Sequence, residues 1–435
     1  MHAPRIAAGG MLVTGMALAS VARAQGSRGR AAAPAPAPAP VTVPRFEVDP
    51  LWPLPLPHRW ILGSSTGVAV DAGDHVFLVH LTDSFNRRTE IGLATDPPTG
   101  ECCAPAPNVL ELDPAGHLVH AWGGAGQGYT WPEMAAGLAV DDSGNVWIGG
   151  SGGEDSQILK FSHDGRFIAQ FGTPAAPPAE VAASTGDTAY QGVSPARGAV
   201  RAPAGARARR PALPPNSNSL ESFGGPAGFS FDTRANEAYV ADGYRNHRVA
   251  VIDMTTGAIK RTWGAYGQRP VDADSVRYDP NAPPAKQFST VRCAKLSRDA
   301  LVYVCDARND RIQVFRRDGS FVAEARVAPQ TLGAGSVWDI AFSRDPAQRY
   351  LYVADGMNMK VHVLDRRSLR ELTSFGDGGR QPGEFYAVHS VATDSRGDLY
   401  TVETYEGKRV QKFVYKGIGA PAHAAVLWPS AGGAR

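Results

Sequence analysis

The sequence predicts an all-β fold, a six-bladed β-propeller. Two observations carry this. One phrase recurs: Tyr239-Val240-Ala241-Asp242-Gly243-Tyr244-Arg245-Asn246-His247-Arg248-Val249 returns as Tyr303-Val304-Cys305-Asp306-Ala307-Arg308-Asn309-Asp310-Arg311-Ile312 and as Tyr352-Val353-Ala354-Asp355-Gly356-Met357-Asn358-Met359-Lys360-Val361. Each copy is a β-rich strand, an Asp/Asn turn, a cation and a second strand, so one supersecondary unit is used many times. Around these copies, apolar residues alternate with a period of two between Gly, Asp and Asn turns, the pattern of strands and hairpins.

Six segments open the units: Gly67–Asp71, Gly137–Asp141, Gly228–Asp232, Ala294–Ser297, Asp339–Ser343 and Ser390–Asp394. Second strands follow at His75–His80, Asn145–Gly149, Glu237–Ala241, Leu301–Cys305, Tyr350–Ala354 and Asp398–Val402. Third strands are clear at Gln157–Phe161 and Arg311–Phe315. Fourth strands close on an aromatic-Gly pair at Trp122-Gly123, Phe171-Gly172, Trp263-Gly264 and Phe375-Gly376. Four strands in each of six units close radially into a propeller, which leaves few open sheet edges. Arg45–Asp49 is expected to supply the strand that completes the last blade. A pair of β-sandwiches is the alternative architecture.

The propeller is expected to span residues 45–417. Before it, Arg5, an apolar stretch from Ile6 to Val21 and the small-x-small site Ala22-Arg23-Ala24 read as a signal peptide over residues 1–24. Export to the periplasm or the extracellular space follows. Residues 25–44 form an Ala/Pro-rich, semi-rigid spacer. A second low-complexity stretch, about residues 173–218, holds Arg207-Ala208-Arg209-Arg210-Pro211 and reads as a disordered insertion between two repeats. Residues 418–435 read as a C-terminal tail.

The 435 residues carry a formal net charge of +2, and the dense Arg cluster lies in the low-complexity stretch. Nucleic acid is therefore not an expected partner. No later stretch is long and apolar enough to span a bilayer, and a monomer is expected. Cys102, Cys103, Cys293 and Cys305 allow three pairings, and the spacing does not choose among them. No Cys-x-x-Cys or His-x-x-x-His spacing points to structural zinc. Gly149-Gly150-Ser151-Gly152-Gly153 fits the Gly-x-Ser-x-Gly pattern, but a nucleophile elbow needs a helix after it, and a third strand is expected here.

From about Phe46 to Phe413, apart from the insertion, the chain resembles the NHL-repeat propellers. The wording Ala241-Asp242-Gly243-Tyr244-x-Asn246-x-Arg248 and Asp306-x-x-Asn309-x-Arg311-Ile312-Gln313 is similar to bacterial relatives of the peptidyl-hydroxyglycine amidating lyase. That resemblance implies zinc held in the channel by three histidines at inner-strand starts, a calcium ion deeper down, and a Tyr and two Arg on the substrate. The family Tyr matches Tyr244. The first His position falls on Ala136 and the second on Arg292, while the third matches His389, with Ser390 where the family has Asp. One family Arg falls on Leu81, after His80. The other falls on Ala307, with Arg308 next to it.

A catalytic zinc site needs three protein ligands and an open position, and one ligand of three remains. The expectation is therefore no channel metal and no cofactor. Tyr244, Arg292 and His389 become the candidate catalytic residues, and His80 and Arg308 the candidate substrate-binding ones. Arg provides a bidentate fork for carboxylate, His titrates near neutral pH, and a nearby Arg favours the ionised form of a Tyr. Each has a plainer role open to it: Tyr244 as a turn aromatic, Arg292 as the partner of a carboxylate such as Asp306, His389 as a structural histidine. The Asp residues at 242, 306 and 355 read as turn-formers. The expected function is a metal-independent lyase or hydrolase acting on a small anionic substrate or peptide. The alternative is a non-catalytic ligand- or protein-binding propeller on an inactive amidating-lyase-like scaffold.

Overall fold

A computed structural model describes residues 41–175, 213–272 and 277–421, together with the backbone of Val426–Leu427. Residues 1–24, read above as a signal peptide, most of the Ala/Pro spacer and most of the insertion lie outside the described residues. Six antiparallel sheets follow one another along the chain. Blade I is Ser64–Val70, Val76–Leu81, Val109–Leu112 and Leu118–Trp122; blade II is Ala135–Val140, Val146–Gly150, Ile158–Phe161 and Phe167–Phe171. Blade III is Pro226–Asp232, Glu237–Asp242, Arg248–Asp253 and Ile259–Trp263; blade IV is Val291–Leu296, Leu301–Asp306, Arg311–Arg316 and Phe321–Arg326. Blade V is Asp339–Phe342, Tyr350–Asp355, Lys360–Asp365 and Glu371–Phe375.

Blade VI is built from both ends of the propeller. Val388–Thr393, Leu399–Glu403 and Arg409–Gly419 are joined by Val43–Asp49, which pairs antiparallel with the third strand. This closing strand is the one expected from Arg45–Asp49, and Val43 and Pro44 belong to it as well. The C-terminal stretch is not wholly outside the propeller. Val426–Leu427 adds a parallel strand beside Phe46 and Glu47. Radial closure thereby removes the open edge that a linear array would leave.

The cores lie between blades. Phe77, Val109, Leu138 and Phe161 join blades I and II, and Tyr239, Val251, Val302 and Phe315 join blades III and IV. Phe46 is fully buried against Tyr352 and Phe375, so the closing strand seals blade V to blade VI. The first strands crowd around the axis. Gly137 has a φ of +72°, and a Cβ there would stand 2.1 Å from the Ala227 carbonyl oxygen, so blades II and III can approach only through a glycine.

One boundary expected from the sequence changes, and the cysteine pairing that the sequence left open is settled. Residues 213–218 are not loose: Ser217 is fully buried, and its carbonyl accepts from the Arg248 guanidinium at 2.9 Å. The insertion therefore ends earlier than 218, because Arg248 needs carbonyl acceptors for its buried donors. The cysteines pair as Cys102–Cys103 and Cys293–Cys305, the second pair facing each other across adjacent strands of blade IV. Among the described residues no helix is long and apolar enough to cross a membrane.

Phe46→Ala should destabilise the propeller by about 3–5 kcal/mol, the usual loss for deleting a buried Phe. Urea unfolding checks this. A change below about 1 kcal/mol would show that the closing strand contributes little.

Candidate functional site

Six first strands converge on one narrow cavity on the axis. Thr66, Gly137, Ala227, Arg292, Trp338 and His389 come one from each blade, and Tyr244 adds its side chain from the turn after the second strand of blade III. Lys295, Asp339 and Ser390 complete the polar lining. The cavity volume is about 20 Å³, room for roughly one water.

The backbone aims these residues. In five blades the pairing of first and second strands slips at the start of the first strand. The slips lie between Ser65 and Gly67, Ala136 and Leu138, Pro226 and Phe229, Val291 and Cys293, and Val388 and Ser390. Thr66, Gly137, Ala227, Gly228, Arg292 and His389 are the residues left unpaired. A bulge re-aims a side chain and leaves the rest of the ladder intact.

The second strands clamp the backbone just before each bulge. In blade IV, Asp306 accepts from the Ser289 N–H at 2.8 Å. In blade III, Asp242 accepts from Gly224, and in blade VI, Glu403 accepts from Tyr386 at 2.8 Å. In blade II the acceptor is Asp155, on the loop after the second strand, which takes the Glu133 and Met134 N–H groups. In blade I the same task falls to His80, whose Nδ1 accepts from the Gly63 N–H at 3.1 Å.

Arg292 stands at the centre of the cavity. Its guanidinium carbon lies 4.1 Å from the Trp338 ring centroid and 5.6 Å from that of Tyr244. Its Nε and Nη1 are buried and have no protein acceptor. The carboxylate offered to it by the sequence reading, Asp306, is occupied instead by Arg311 at 2.8 Å and by Asn309. Cation–π contact replaces an ion pair here.

His389 packs edge-on against Trp338, with ring centroids 5.7 Å apart, and its Nδ1 is also buried without a partner. Burial first, and then the charge of Arg292, hold its pKa down to about 3, against a hydrogen bond at the Thr66 backbone. The imidazole is neutral near neutral pH. Ser390 Oγ donates to Asp339 Oδ2 at 2.6 Å, and Lys295 Nζ lies 3.5 Å from Asp339 Oδ1. Asp339 from blade V thus supplies the carboxylate that position 390 lacks. With His389 neutral, the lining carries Arg292 and Lys295 against Asp339, one positive charge in excess.

The three candidate catalytic residues, Tyr244, Arg292 and His389, therefore meet in one cavity. The two candidate substrate-binding residues do not join them. His80 is fully buried, with Nε2 2.9 Å from the Pro107 carbonyl oxygen, and burial lowers its pKa to about 4. Its assignment to substrate is corrected: both ring nitrogens serve the backbone. Arg308 is exposed on the short 3-10 turn Ala307–Asn309, outside the lining. Asp242, Asp306 and Asp355 do form turns, but they also bind Arg248, Arg311 and His362. Ser151 leads into a strand, with its N–H on the Met134 carbonyl, and no nucleophile elbow forms.

Trp338, Lys295 and Asp339 went unrecognised in the sequence. Trp338 stands immediately before the fifth strand start, so reading the same offset in every blade would have found it.

The zinc implied by the resemblance does not fit these residues. Ala136 is buried and has no donor atom, Arg292 places a cation in the cavity, and His389 is the single imidazole there. Asp339, the sole carboxylate of the lining, is already engaged by Lys295, Ser390 and Val391.

No protein-family model matches the chain, and no curated protein matches it. Solved structures align with it at low identity. A streptogramin B lyase is 11% identical, covering 86% of this chain and 98% of its own, at a TM-score of 0.45. A catalytically inactive virginiamycin B lyase from Staphylococcus aureus with quinupristin is 12% identical, covering 85% and 88%, at 0.43. A protein of unknown function from Bacteroides thetaiotaomicron is 11% identical, covering 86% and 77%, at 0.48.

The depressed pKa of His389 gives a pH signature. Between about pH 6.5 and 3 the unfolded chain binds a proton that the folded chain refuses, so stability falls as pH falls through this window. The loss reaches up to about 1.4 kcal/mol per pH unit. His389→Gln should flatten that slope in urea titrations at pH 4 to 7. Equal slopes in both proteins would place the imidazole in water.

Proposed function

We propose that this protein is an exported propeller that captures a small carboxylate-bearing molecule at its channel mouth, with Arg292 as the anion-holding group. The observation that carries this is the guanidinium itself. It lies over the Trp338 ring with the Tyr244 ring farther off, and its buried Nε and Nη1 lack any protein acceptor. Buried donors need partners, and a guanidinium fork matches a carboxylate. The cavity below the mouth has room for only about one water, so the body of the ligand rests outside and its anionic group reaches in. Export rests on the leader-like residues 1–24, and kinship with NHL-type amidating lyases rests on the repeat wording around Asp242 and Asp306.

A second reading, a metal-independent lyase or hydrolase, is favoured by the unpartnered Nδ1 of His389. An imidazole held near 3 is a weak base at neutral pH. An anion seated on Arg292 cancels part of the charge that depresses it, so in this reading the substrate itself strengthens the base.

Calorimetry against small carboxylates and peptides with a free C-terminus tests both readings. Arg292→Ala should weaken binding roughly ten- to hundredfold, the range for a hydrogen bond to a charged group. Arg292→Lys should recover part of the loss, and Tyr244→Phe should leave binding nearly intact. Conversion of a bound carboxylate that disappears in His389→Gln with binding kept would establish the enzyme. Binding without conversion would establish the receptor. Equal affinity in wild type and Arg292→Ala would overturn the assignment of the site.

A further inference from the structure

Far from the channel lining, three imidazoles surround one buried carboxylate. Glu111, in the third strand of blade I, has no exposed surface, yet no lysine or arginine pairs with it among the described residues. His75 Nδ1 lies 2.5 Å from its Oε1 and His120 Nδ1 lies 2.7 Å from its Oε2. His163 Nε2, from the turn between the third and fourth strands of blade II, lies 3.4 Å from Oε1 and 3.0 Å from Asp71 Oδ2.

The fold assembles this group. Glu111 pairs across the sheet with Phe77 on one side and His120 on the other, so the three share one face of blade I. That face meets blade II, where His163 stands edge-on to Phe77 at 5.0 Å between centroids. Asp71 is fixed as well: its Oδ1 accepts from the Gly73 and His75 N–H groups at 2.8 Å, which leaves Oδ2 for His163. The turns that carry Asp71, His75 and His163 join first to second and third to fourth strands. They therefore lie at the opposite sheet end from the strand starts that form the channel site.

We infer that this cluster binds a single divalent transition-metal ion of the zinc class at His163 and Glu111, with His75, His120 and Asp71 as flanking donors. Donor atoms of Asp71, His75 and His163, and again of Glu111, His120 and His163, all lie within 4.8 Å of one another, and His163 is common to both triads. Imidazole nitrogen with carboxylate oxygen is the donor set that zinc takes, at bond lengths of about 2.0–2.2 Å. Such bonds put neighbouring ligand atoms about 3.3 Å apart around a tetrahedron, close to the 3.0 and 3.4 Å already present at His163. Two carboxylates and a divalent cation balance in charge, and a buried carboxylate needs such a counter-charge. The three imidazoles are partly exposed, which gives the ion a path in. The ion would tie blade I to blade II.

The test uses the full chain, stripped with EDTA and dialysed. Calorimetry with Zn²⁺, and visible absorption with Co²⁺, should show one ion per chain and a rise in melting temperature. His163→Ala and Glu111→Gln should each weaken binding ~100-fold or more, since even residues behind the ligands cost about 10–100-fold. His117→Gln, which alters an exposed pair with Asp113 outside the cluster, should leave binding unchanged. Arg292→Ala should leave it unchanged too. Should either cluster variant fail to fold, His120→Gln, at a half-exposed position, serves in its place with the same expected loss. No uptake by wild type at micromolar metal would overturn the inference. So would full affinity in the folded cluster variants, or binding that is lost only on substitution in the channel.

Discussion

The structure depends on a buried hydrogen bond repeated around the ring. A polar side chain near the end of a second strand takes a backbone N–H from the chain about to enter the first strand. In blades I, II, III, IV and VI the donors include Gly63, Met134, Gly224, Ser289 and Tyr386. Each stands three residues before a residue that lines the channel or its bulge: Thr66, Gly137, Ala227, Arg292 and His389. Blade V departs from the rule. There Ser336 donates to Asp310, which belongs to blade IV. The acceptors are largely carboxylates with a second duty, since Asp242 and Asp306 also hold Arg248 and Arg311 in nearly dry ion pairs. Removing one member of such a pair leaves an unpaired buried charge and typically costs about 3–5 kcal/mol. In the five blades that carry it, the clamp is therefore both a strut of the blade and the device that sets the height of its channel residue.

Much of the fold was legible because the propeller is written in local signals. Period-two strands, Asp/Asn turns and aromatic-Gly ends mark units that need only their neighbours, and even the closing strand at Phe46 announced itself. The site was half legible. Arg292 and His389 could be placed at strand starts and Tyr244 in the turn after a second strand, but the bulges that turn Arg292 and His389 into the channel leave no mark in the alternation. His80 was misread for a physical reason. Blade I fills the clamp position with an imidazole where other blades use a carboxylate, and a lone histidine in a sequence looks like chemistry. The cluster around Glu111 was not legible at all: His163 and Asp71 are 92 residues apart, and only blade packing brings them together.

The occupant of the channel centre decides what the scaffold can do. A metal ion there would act as a Lewis acid and could activate water. An arginine in the same place keeps a positive charge but has no open coordination position, and it does not give up its proton. What it adds is a fixed position, because its guanidinium carbon lies 4.1 Å from the Trp338 ring centroid. The charge also bears on its neighbour. Arg292 helps hold His389 neutral, so the cavity has one cation without a counter-charge and one empty base. Holding an anion is the task such a pair performs with least rearrangement, whereas proton transfer at His389 must wait until the field of Arg292 is offset. Under the proposed function, electrostatics would set the order of events: an anion would bind first, and any chemistry at the imidazole would follow from its arrival.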